Sequence, residues 1–184
     1  MNNRKYIDLH NVADISTPIS ATIDDYSIDK LSIFMETAEL LSQLSHCVSR
    51  KVAALIVKNG RIISTGINGT LPHTINCDCI FDTDTFDRDK HHKWSELNEL
   101  HAESNAIAEA AKNGVCINGA DMFVTLSPCI NCTKLLVASG IKRVFFANVY
   151  DKYSDYTESI TEMNRLFNQS GVELYQLISA DSVN

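Results

Sequence analysis

The amino-acid sequence predicts an α/β protein of three layers, with helices on both faces of one mixed sheet of five strands. The spacing of its apolar residues predicts helices (α) and strands (β) along the chain in the order α-β-β-α-β-α-β-α-β. A hairpin turn at residues 58–61 joins the first two strands, which makes them antiparallel. Strand and helix alternate after residue 100, which is typical of parallel pairing. A chain of 184 residues, 45% of them hydrophobic, fits one such domain.

The first half of the domain begins with an amphipathic helix. Apolar residues recur at steps of three and four from Ile28 to about His46, which predicts that helix. Short apolar runs at residues 52–57 and 62–67 predict the two strands of the hairpin. Residues 1–27 show no sustained period, so we interpret them as an N-terminal extension with one short strand or turn, ahead of a domain at residues 28–184.

The second half of the domain follows a long polar segment. Residues 68 to about 93 carry turn formers, charges, two cysteines and two histidines without a period, and long loops of this kind are usually functional. A helix is predicted from about Leu100 to the stop signal at Asn113-Gly114. The remaining predicted elements are a strand at 122–126, a helix at 129–139, a strand at 143–147, a helix at 157–168 and a strand at 172–177.

Charge and composition exclude several classes of partner. Lys and Arg number 16 against 23 Asp and Glu, so the net charge is −7. Such a chain is poorly suited to nucleic acids or anionic membranes, because cationic side chains dominate affinity for polyanions. No apolar run approaches the roughly 20 residues of a membrane span, and no export signal is evident. We therefore expect a cytoplasmic protein whose six cysteines stay reduced and serve metal binding or catalysis.

The strongest local motif is Ser127-Pro128-Cys129-Ile130-Asn131-Cys132, between a predicted strand and a predicted helix. Two cysteines three residues apart share one face at a helix start, and a helix N-terminus favours the thiolate that binds metal. A redox C-x-x-C pair and two plain buried thiols are the competing interpretations of this segment alone.

A second motif, His101-Ala102-Glu103, lies ahead of the first and makes it specific. H-x-E followed by P-C-x-x-C is the signature of zinc deaminases. His101, Cys129 and Cys132 supply three zinc ligands and leave a fourth tetrahedral position for water, as in catalytic zinc sites. Glu103 is then the predicted general acid/base, since it can move a proton from the water to the substrate. An ordinary glutamate in the first turn of a helix is the competing interpretation.

These motifs resemble the deoxycytidylate (dCMP) deaminase family, and its bacteriophage members in particular. The resemblance covers about residues 31–178 and includes Ser49–Ala54, Gly66–Gly69 and both motifs above. It implies the cytidine-deaminase-like fold and the zinc-dependent hydrolysis of dCMP to dUMP and ammonia, which supplies dUMP for dTTP synthesis. For a phage-encoded enzyme the compartment is the host cytoplasm.

The resemblance also implies a second, structural zinc ion held by Cys47, Cys77, His91 and Glu99. The spacing of these four residues is too scattered to be informative by itself, and unrelated loop residues are the competing interpretation. Cys79 and His92 lie close enough to replace a member of the set. A closed site of four ligands would hold the long polar loop on the core.

Six residues are predicted to bind the nucleotide, and three of them lie at a helix-to-strand junction where the family binds it. Ser49, Arg50 and Lys51 are the candidates for the phosphate, Asn68 for sugar or base, and Tyr150 for stacking on the pyrimidine; the full predicted set is Ser49, Arg50, Lys51, Asn68, Ser127 and Tyr150. Cations and turn asparagines also commonly face solvent, which is the competing interpretation.

Control by nucleotides is a further implication of the resemblance. The family is typically a homohexamer activated by dCTP and inhibited by dTTP, with Mg²⁺ as a companion of the triphosphate. We interpret Lys112 as a contributor to the effector site, although a lysine there also complements the helix dipole. Ile67 and Glu109 depart from residues usual in the family, which concerns this regulation and not the chemistry.

Two other functions compete with dCMP deamination. One is another zinc deaminase of the same fold, acting on free cytidine or on tRNA adenosine. The other is a non-catalytic, zinc-stapled interaction module. Glu103 discriminates against the module, because a structural zinc site has no use for an unligated carboxylate beside an open position.

Overall fold

The helices and strands are defined by a computed structural model that describes residues 6–11, 22–23, 26–150 and 156–179. The helices are α1 (Ile28–Ser42), α2 (Arg88–Asn98), α3 (Ala102–Lys112), α4 (Ile130–Ala138) and α5 (Tyr156–Ser170). The strands are β1 (Tyr6–Asn11), β2 (Thr22–Ile23), β3 (Tyr26–Ser27), β4 (Ala53–Lys58), β5 (Arg61–Ile67), β6 (Gly69–Thr70), β7 (Glu99–Leu100), β8 (Asp121–Leu126), β9 (Arg143–Asn148) and β10 (Glu173–Ser179). None of these helices is long and apolar enough to cross a membrane.

The main sheet contains the five predicted strands in the order β10-β9-β8-β4-β5. β8, β9 and β10 are parallel, and β4 is antiparallel to both β5 and β8. The predicted mixed sheet of five strands is therefore confirmed, including the hairpin and the parallel half. Each predicted strand agrees with the observed one to within about two residues, the usual uncertainty of element ends.

A sixth strand, β1, extends this sheet at its edge. It pairs antiparallel with β10, from Tyr6 opposite Ser179 to Asn11 opposite Tyr175. The predicted N-terminal extension thus adds a strand to the domain, although residues 1–5, 12–21 and 24–25 of that segment lie outside the described residues.

Two apolar cores, one on each face of the sheet, account for the three layers. On one face, side chains of α3, α4 and α5 pack on Ala54, Ile56 and Val124. On the other face, α1 packs on Leu55, Phe123 and Phe145. β4 alternates the side chains of residues 54–57 between the two cores, and these four are fully buried, as expected for a strand covered on both faces.

α3 packs unusually close to β5, because Gly66 has no side chain. A Cβ atom at Gly66 would lie only 2.2 Å from the carbonyl oxygen of Ala102 and 2.3 Å from the amide nitrogen of Ala106. Two hydrogen bonds reinforce this approach: Ser64 Oγ donates to Ala106 O at 2.7 Å, and Asn105 Nδ2 donates to Ile67 O at 2.6 Å. The strand therefore fixes the position of the N-terminal turn of α3.

The polar segment after β5 is more ordered than its sequence predicts. It contains β6, a 3-10 turn at Cys77–Cys79, and α2, a helix for which we predicted only loop. α2 begins at Asp87, whose carboxylate accepts from the backbone N–H groups of Asp89 and Lys90. β7 then pairs with β6 and leads directly to α3, which begins at Ala102, two residues later than predicted.

Candidate active site

Two helix N-termini bring three predicted zinc ligands together, which we name the catalytic cluster. His101 is the N-cap of α3, Cys129 is the N-cap of α4, and Cys132 lies in the first turn of α4. His101 Nδ1 is 3.4 Å from Cys129 Sγ and 3.4 Å from Cys132 Sγ. The start of α3 at His101 lets both His101 and Glu103 face this point, which two residues in mid-helix could not do.

The donor set of the catalytic cluster fits zinc. Zn–S bonds of about 2.3 Å and Zn–N bonds of about 2.0–2.1 Å in a tetrahedron separate sulfur and nitrogen ligand atoms by about 3.5 Å. The two observed separations of 3.4 Å agree with that value. Three such ligands leave one tetrahedral position for water.

Hydrogen bonds within the catalytic cluster favour the charged forms of Cys129 and His101 and the neutral thiol of Cys132. The thiol of Cys132 donates to Cys129 and, together with His101, lowers the pKa of Cys129 to about 4. The hydrogen bond with Cys129 raises the pKa of His101 to about 9, although burial opposes this shift. Donating to Cys129 and burial both raise the pKa of Cys132. A metal ion would displace the shared protons, so its affinity must fall at low pH.

Glu103 lies beside the catalytic cluster without belonging to it. It is in the first turn of α3 and only 4% exposed, and burial raises the pKa of its carboxyl group to about 7 while His101 acts in the opposite direction. A carboxyl group with a pKa near neutrality exchanges protons readily in both directions, as a general acid/base requires.

Four further residues, Cys47, Cys77, His91 and Glu99, form a second cluster. His91 Nε2 is 3.5 Å from Cys47 Sγ and 3.3 Å from Cys77 Sγ, again the separation of zinc ligands. Glu99 Oε1 is buried without a hydrogen-bond partner, and a cation held by this cluster would supply one.

Cys79 and His92, the two residues that the sequence left open as alternative ligands, do not belong to the second cluster. Cys79 is exposed and its Sγ is 3.7 Å from Asp78 Oδ1. His92 Nε2 lies 3.4 Å from Glu96 Oε1 on the outer face of α2. Neither residue belongs to either group of converging ligand atoms in the described part of the chain.

The residues predicted to bind the nucleotide differ in the contacts that they make. The guanidinium carbon of Arg50 lies 5.5 Å from the ring centroid of Tyr150, and the N–H of Tyr150 donates to Ser127 Oγ at 2.9 Å. Ser49 is exposed next to Arg50. The Nζ of Lys51 instead lies 3.5 Å from the carbonyl oxygen of Gln43 at the end of α1. The roles of these residues stay predictions.

Asn68 and Lys112 already make contacts within the protein. Asn68 Oδ1 accepts from the backbone N–H of Val52 and Nδ2 donates to Arg50 O, both at 2.8 Å, which leaves one amide hydrogen for a ligand. Lys112 is exposed at the end of α3, with Nζ 3.6 Å from Glu109 Oε2. The predicted effector role of Lys112 is compatible with this exposure.

The comparison with protein families decides which family these clusters represent. The profile of the cytidine and deoxycytidylate deaminase zinc-binding region matches residues 28–148. The chain belongs to this deaminase family. The family profile and the converging cysteine and histidine side chains both support zinc as the metal.

Relatives of this deaminase extend from phages to mammals. The deoxycytidylate deaminase of enterobacteria phage T2 is 44% identical, over 67% of this chain and 82% of the relative. The human deoxycytidylate deaminase is 35% identical, over 84% and 83%. A solved structure of the dCMP deaminase from cyanophage S-TIM5, in complex with dCMP and dUMP, superimposes with a TM-score of 0.62 and 36% identity, over 79% of this chain and 94% of that one.

Two serines near the clusters were not predicted from the sequence as site residues. Ser104 Oγ is 4.0 Å from Cys132 Sγ, next to a ligand of the catalytic cluster. Ser45 is buried and bonds to both Cys47 and Asn68. Proximity to the two motifs could have indicated Ser104, whereas the partner of Ser45 lies 23 residues away and leaves no local signal.

Proposed function

We propose that this deaminase hydrolyses dCMP to dUMP and ammonia at the catalytic cluster. The observation that carries the proposal is Glu103, a buried carboxyl group that is not one of the three converging ligands but lies beside them. The likeness to deoxycytidylate deaminases from phage T2 and from human supports dCMP as the substrate.

The chain's own residues hold the ion and move the proton. His101, Cys129 and Cys132 would hold zinc, which when bound supplies an activated water for attack at C4 of cytosine. Glu103 takes one proton from that water and delivers it to N3 of the base, then takes the second proton from the hydroxyl group formed at C4 and delivers it to the leaving amine. The raised pKa of Glu103 suits both the uptake and the release.

The nucleotide is proposed to lie between the catalytic cluster and three neighbouring segments. Ser49, Arg50 and Lys51 form the nucleotide segment, which binds the 5′-phosphate through its cations. Asn68 donates its remaining amide hydrogen to sugar or base. Tyr150, with Arg50 on one face of its ring, caps the pyrimidine beside Ser127.

The second cluster is proposed to hold a structural zinc ion through Cys47, Cys77, His91 and Glu99. Its four ligand atoms lie within 4.8 Å of one another, and an ion would give the orphaned Glu99 Oε1 a partner. A closed site of this kind adds to folding free energy outright.

Regulation is part of the same proposal. dUMP feeds dTTP synthesis, so dTTP inhibits and dCTP activates a homohexamer in the host cytoplasm, with Mg²⁺ bound to the triphosphate. The N-terminal extension, residues 1–27, precedes the catalytic domain at residues 28–184.

A substrate panel tests the proposed function. We expect ammonia release from dCMP with a much higher kcat/KM than from cytidine, deoxycytidine, CMP or dCTP, because the nucleotide segment favours one 5′-phosphate. Equal rates with deoxycytidine and dCMP would contradict the role of the phosphate. Turnover of none of the five would contradict the deaminase assignment of the site.

Lys112→Glu tests the effector site. On an acidic chain, a pocket for a triphosphate is most easily assembled where cations of two subunits meet. We expect the variant to need about five-fold or more dTTP for half-inhibition and to form a smaller oligomer, with kcat at saturating dCMP unchanged. dTTP titration and light scattering measure both effects. Lys134→Glu on α4 is the control, and unchanged dTTP inhibition and mass in Lys112→Glu would remove Lys112 from the effector site.

A further inference from the structure

The loop of eight residues from Ser45 to Val52 joins the second cluster to the nucleotide segment. Cys47, a ligand of the second cluster, lies two residues before Ser49. The backbone N–H of Val48, between them, donates to Cys77 Sγ at 3.5 Å. Two sulfur atoms of the second cluster therefore hold residues 47 and 48, so a displacement of either atom moves the start of the nucleotide segment.

Ser45 closes the first end of this loop. It is 2% exposed, its Oγ donates to the carbonyl oxygen of Asn68 at 2.9 Å, and the same Oγ accepts from the N–H of Cys47 at 3.2 Å. One hydroxyl group thus links a ligand of the second cluster to the turn that carries Asn68. Its removal would leave buried backbone groups without partners, which proteins rarely tolerate.

Asn68 closes the other end of the loop. Its backbone N–H donates to Val52 O at 3.0 Å, its Oδ1 accepts from the N–H of Val52, and its Nδ2 donates to Arg50 O. Residues 45 and 52 are consequently both bonded to Asn68. The nucleotide segment lies inside a ring of hydrogen bonds that passes through Ser45 and Cys47.

The loop is also connected to the catalytic cluster through Tyr150 and Ser127. Arg50 lies over the ring of Tyr150, and Tyr150 is bonded to Ser127, two residues before Cys129. Glu99, a ligand of the second cluster, lies two residues before His101. The second cluster is therefore connected to the active site on two sides through short, hydrogen-bonded or covalent paths.

We propose that Ser45 is a positioning residue that transmits the geometry of the second cluster to the nucleotide segment. A metal ion at the second cluster then sets the affinity for dCMP and does not only stabilise the fold. The physical reason is that an ordered loop has already lost the conformational entropy that a loose loop would lose on binding. This inference rests on the proposed function.

Ser45→Ala tests the inference in zinc-loaded protein. We expect KM for dCMP and the dissociation constant of dUMP to rise about five-fold or more, because coupling between sites is typically of this size. We expect kcat to change less than about two-fold, since Glu103 and the catalytic cluster are untouched. Ser32→Ala is the matched control: Ser32 is also 2% exposed and hydrogen-bonded, but lies in the first turns of α1 and bonds to Glu36.

The second cluster provides an independent test that does not depend on how Ser45→Ala folds. Partial removal of zinc from the parent protein, with zinc content measured beside dUMP affinity by calorimetry, should weaken dUMP binding as the second ion is lost. Unchanged dUMP affinity at one zinc per chain overturns the inference, as does an equal rise of KM in Ser32→Ala. Absence of dCMP turnover in the fully zinc-loaded parent contradicts the proposed function instead. Full turnover in the parent, together with an unchanged KM in Ser45→Ala, contradicts this inference alone.

Discussion

Glu103→Gln should reduce kcat on dCMP by at least about 10²-fold, the usual contribution of a general acid/base. The amide has nearly the shape of the carboxyl group but cannot accept the proton from water or return it to the substrate. Since Glu103 is not one of the converging ligands, the variant should keep the zinc of the catalytic cluster. Steady-state kinetics and elemental analysis of the same preparation measure both quantities.

Thermal unfolding separates this loss of rate from a loss of structure. An ionised carboxylate is costly at a site as buried as Glu103, and an uncharged amide avoids that cost. We therefore expect Glu103→Gln to unfold at a temperature no lower than the parent. Glu109→Gln is the control on the same helix, because Glu109 is exposed and paired with Lys112, and it should leave kcat unchanged. Near-parental turnover in Glu103→Gln would show that another group moves the proton.

The sequence predicts the catalytic cluster well because its information is local. H-x-E and C-x-x-C each place their residues within one helical turn, and a helix start at His101 is the only additional requirement. The sheet is predictable for a similar reason, since each strand is a short apolar run and the hairpin turn fixes its first pairing. The relative position of the two motifs then follows from the alternation of helices with parallel strands.

The surroundings of the second cluster are less predictable because tertiary contacts determine them. α2 has only two apolar residues, Trp94 and Leu97, and its buried residue is His91, whose ring packs against Phe81, Phe86 and Trp94. A polar helix held by packing and by a cap leaves a weak periodic signal, which explains our prediction of loop. Ser45 left no signal for the same reason, because its partner Asn68 follows two strands later.

In the proposed function, zinc at the catalytic cluster serves the chemistry and zinc at the second cluster stabilises the structure. The catalytic cluster has three converging ligands and an adjacent carboxyl group, whereas the second cluster has four ligands, three of them buried. A set of four leaves no tetrahedral position for water, so a metal there is expected to stabilise structure. Loss of this metal should be visible in unfolding and in metal content, in addition to the weaker dUMP binding expected above.

Cys77→Ala is accordingly expected to lose about one of two zinc ions per chain and to unfold at a temperature at least about 5 °C lower. Cys77 is buried at the 3-10 turn, where it faces His91 of α2 and accepts from Val48. Without its thiolate, the segment between β6 and β7 loses one of its two ligands of the second cluster, the other being His91. For a domain of this size, a loss of 1 kcal/mol lowers Tm by roughly 2–4 °C, and removal of a metal site costs more than that.

Cys79→Ala is the matched control for Cys77→Ala, because it removes a thiol two residues away that is exposed and outside the second cluster. It should keep about two zinc ions per chain and unfold within about 1 °C of the parent, as surface substitutions usually do. Elemental analysis and calorimetric unfolding of the three proteins, each saturated with zinc and then desalted, compare them directly. One zinc ion per chain in the parent, or two in Cys77→Ala, would be incompatible with a metal at Cys47, Cys77, His91 and Glu99. Equal loss of zinc in both variants would mean that Cys79 is also a ligand, because only a ligand takes metal with it when it is removed.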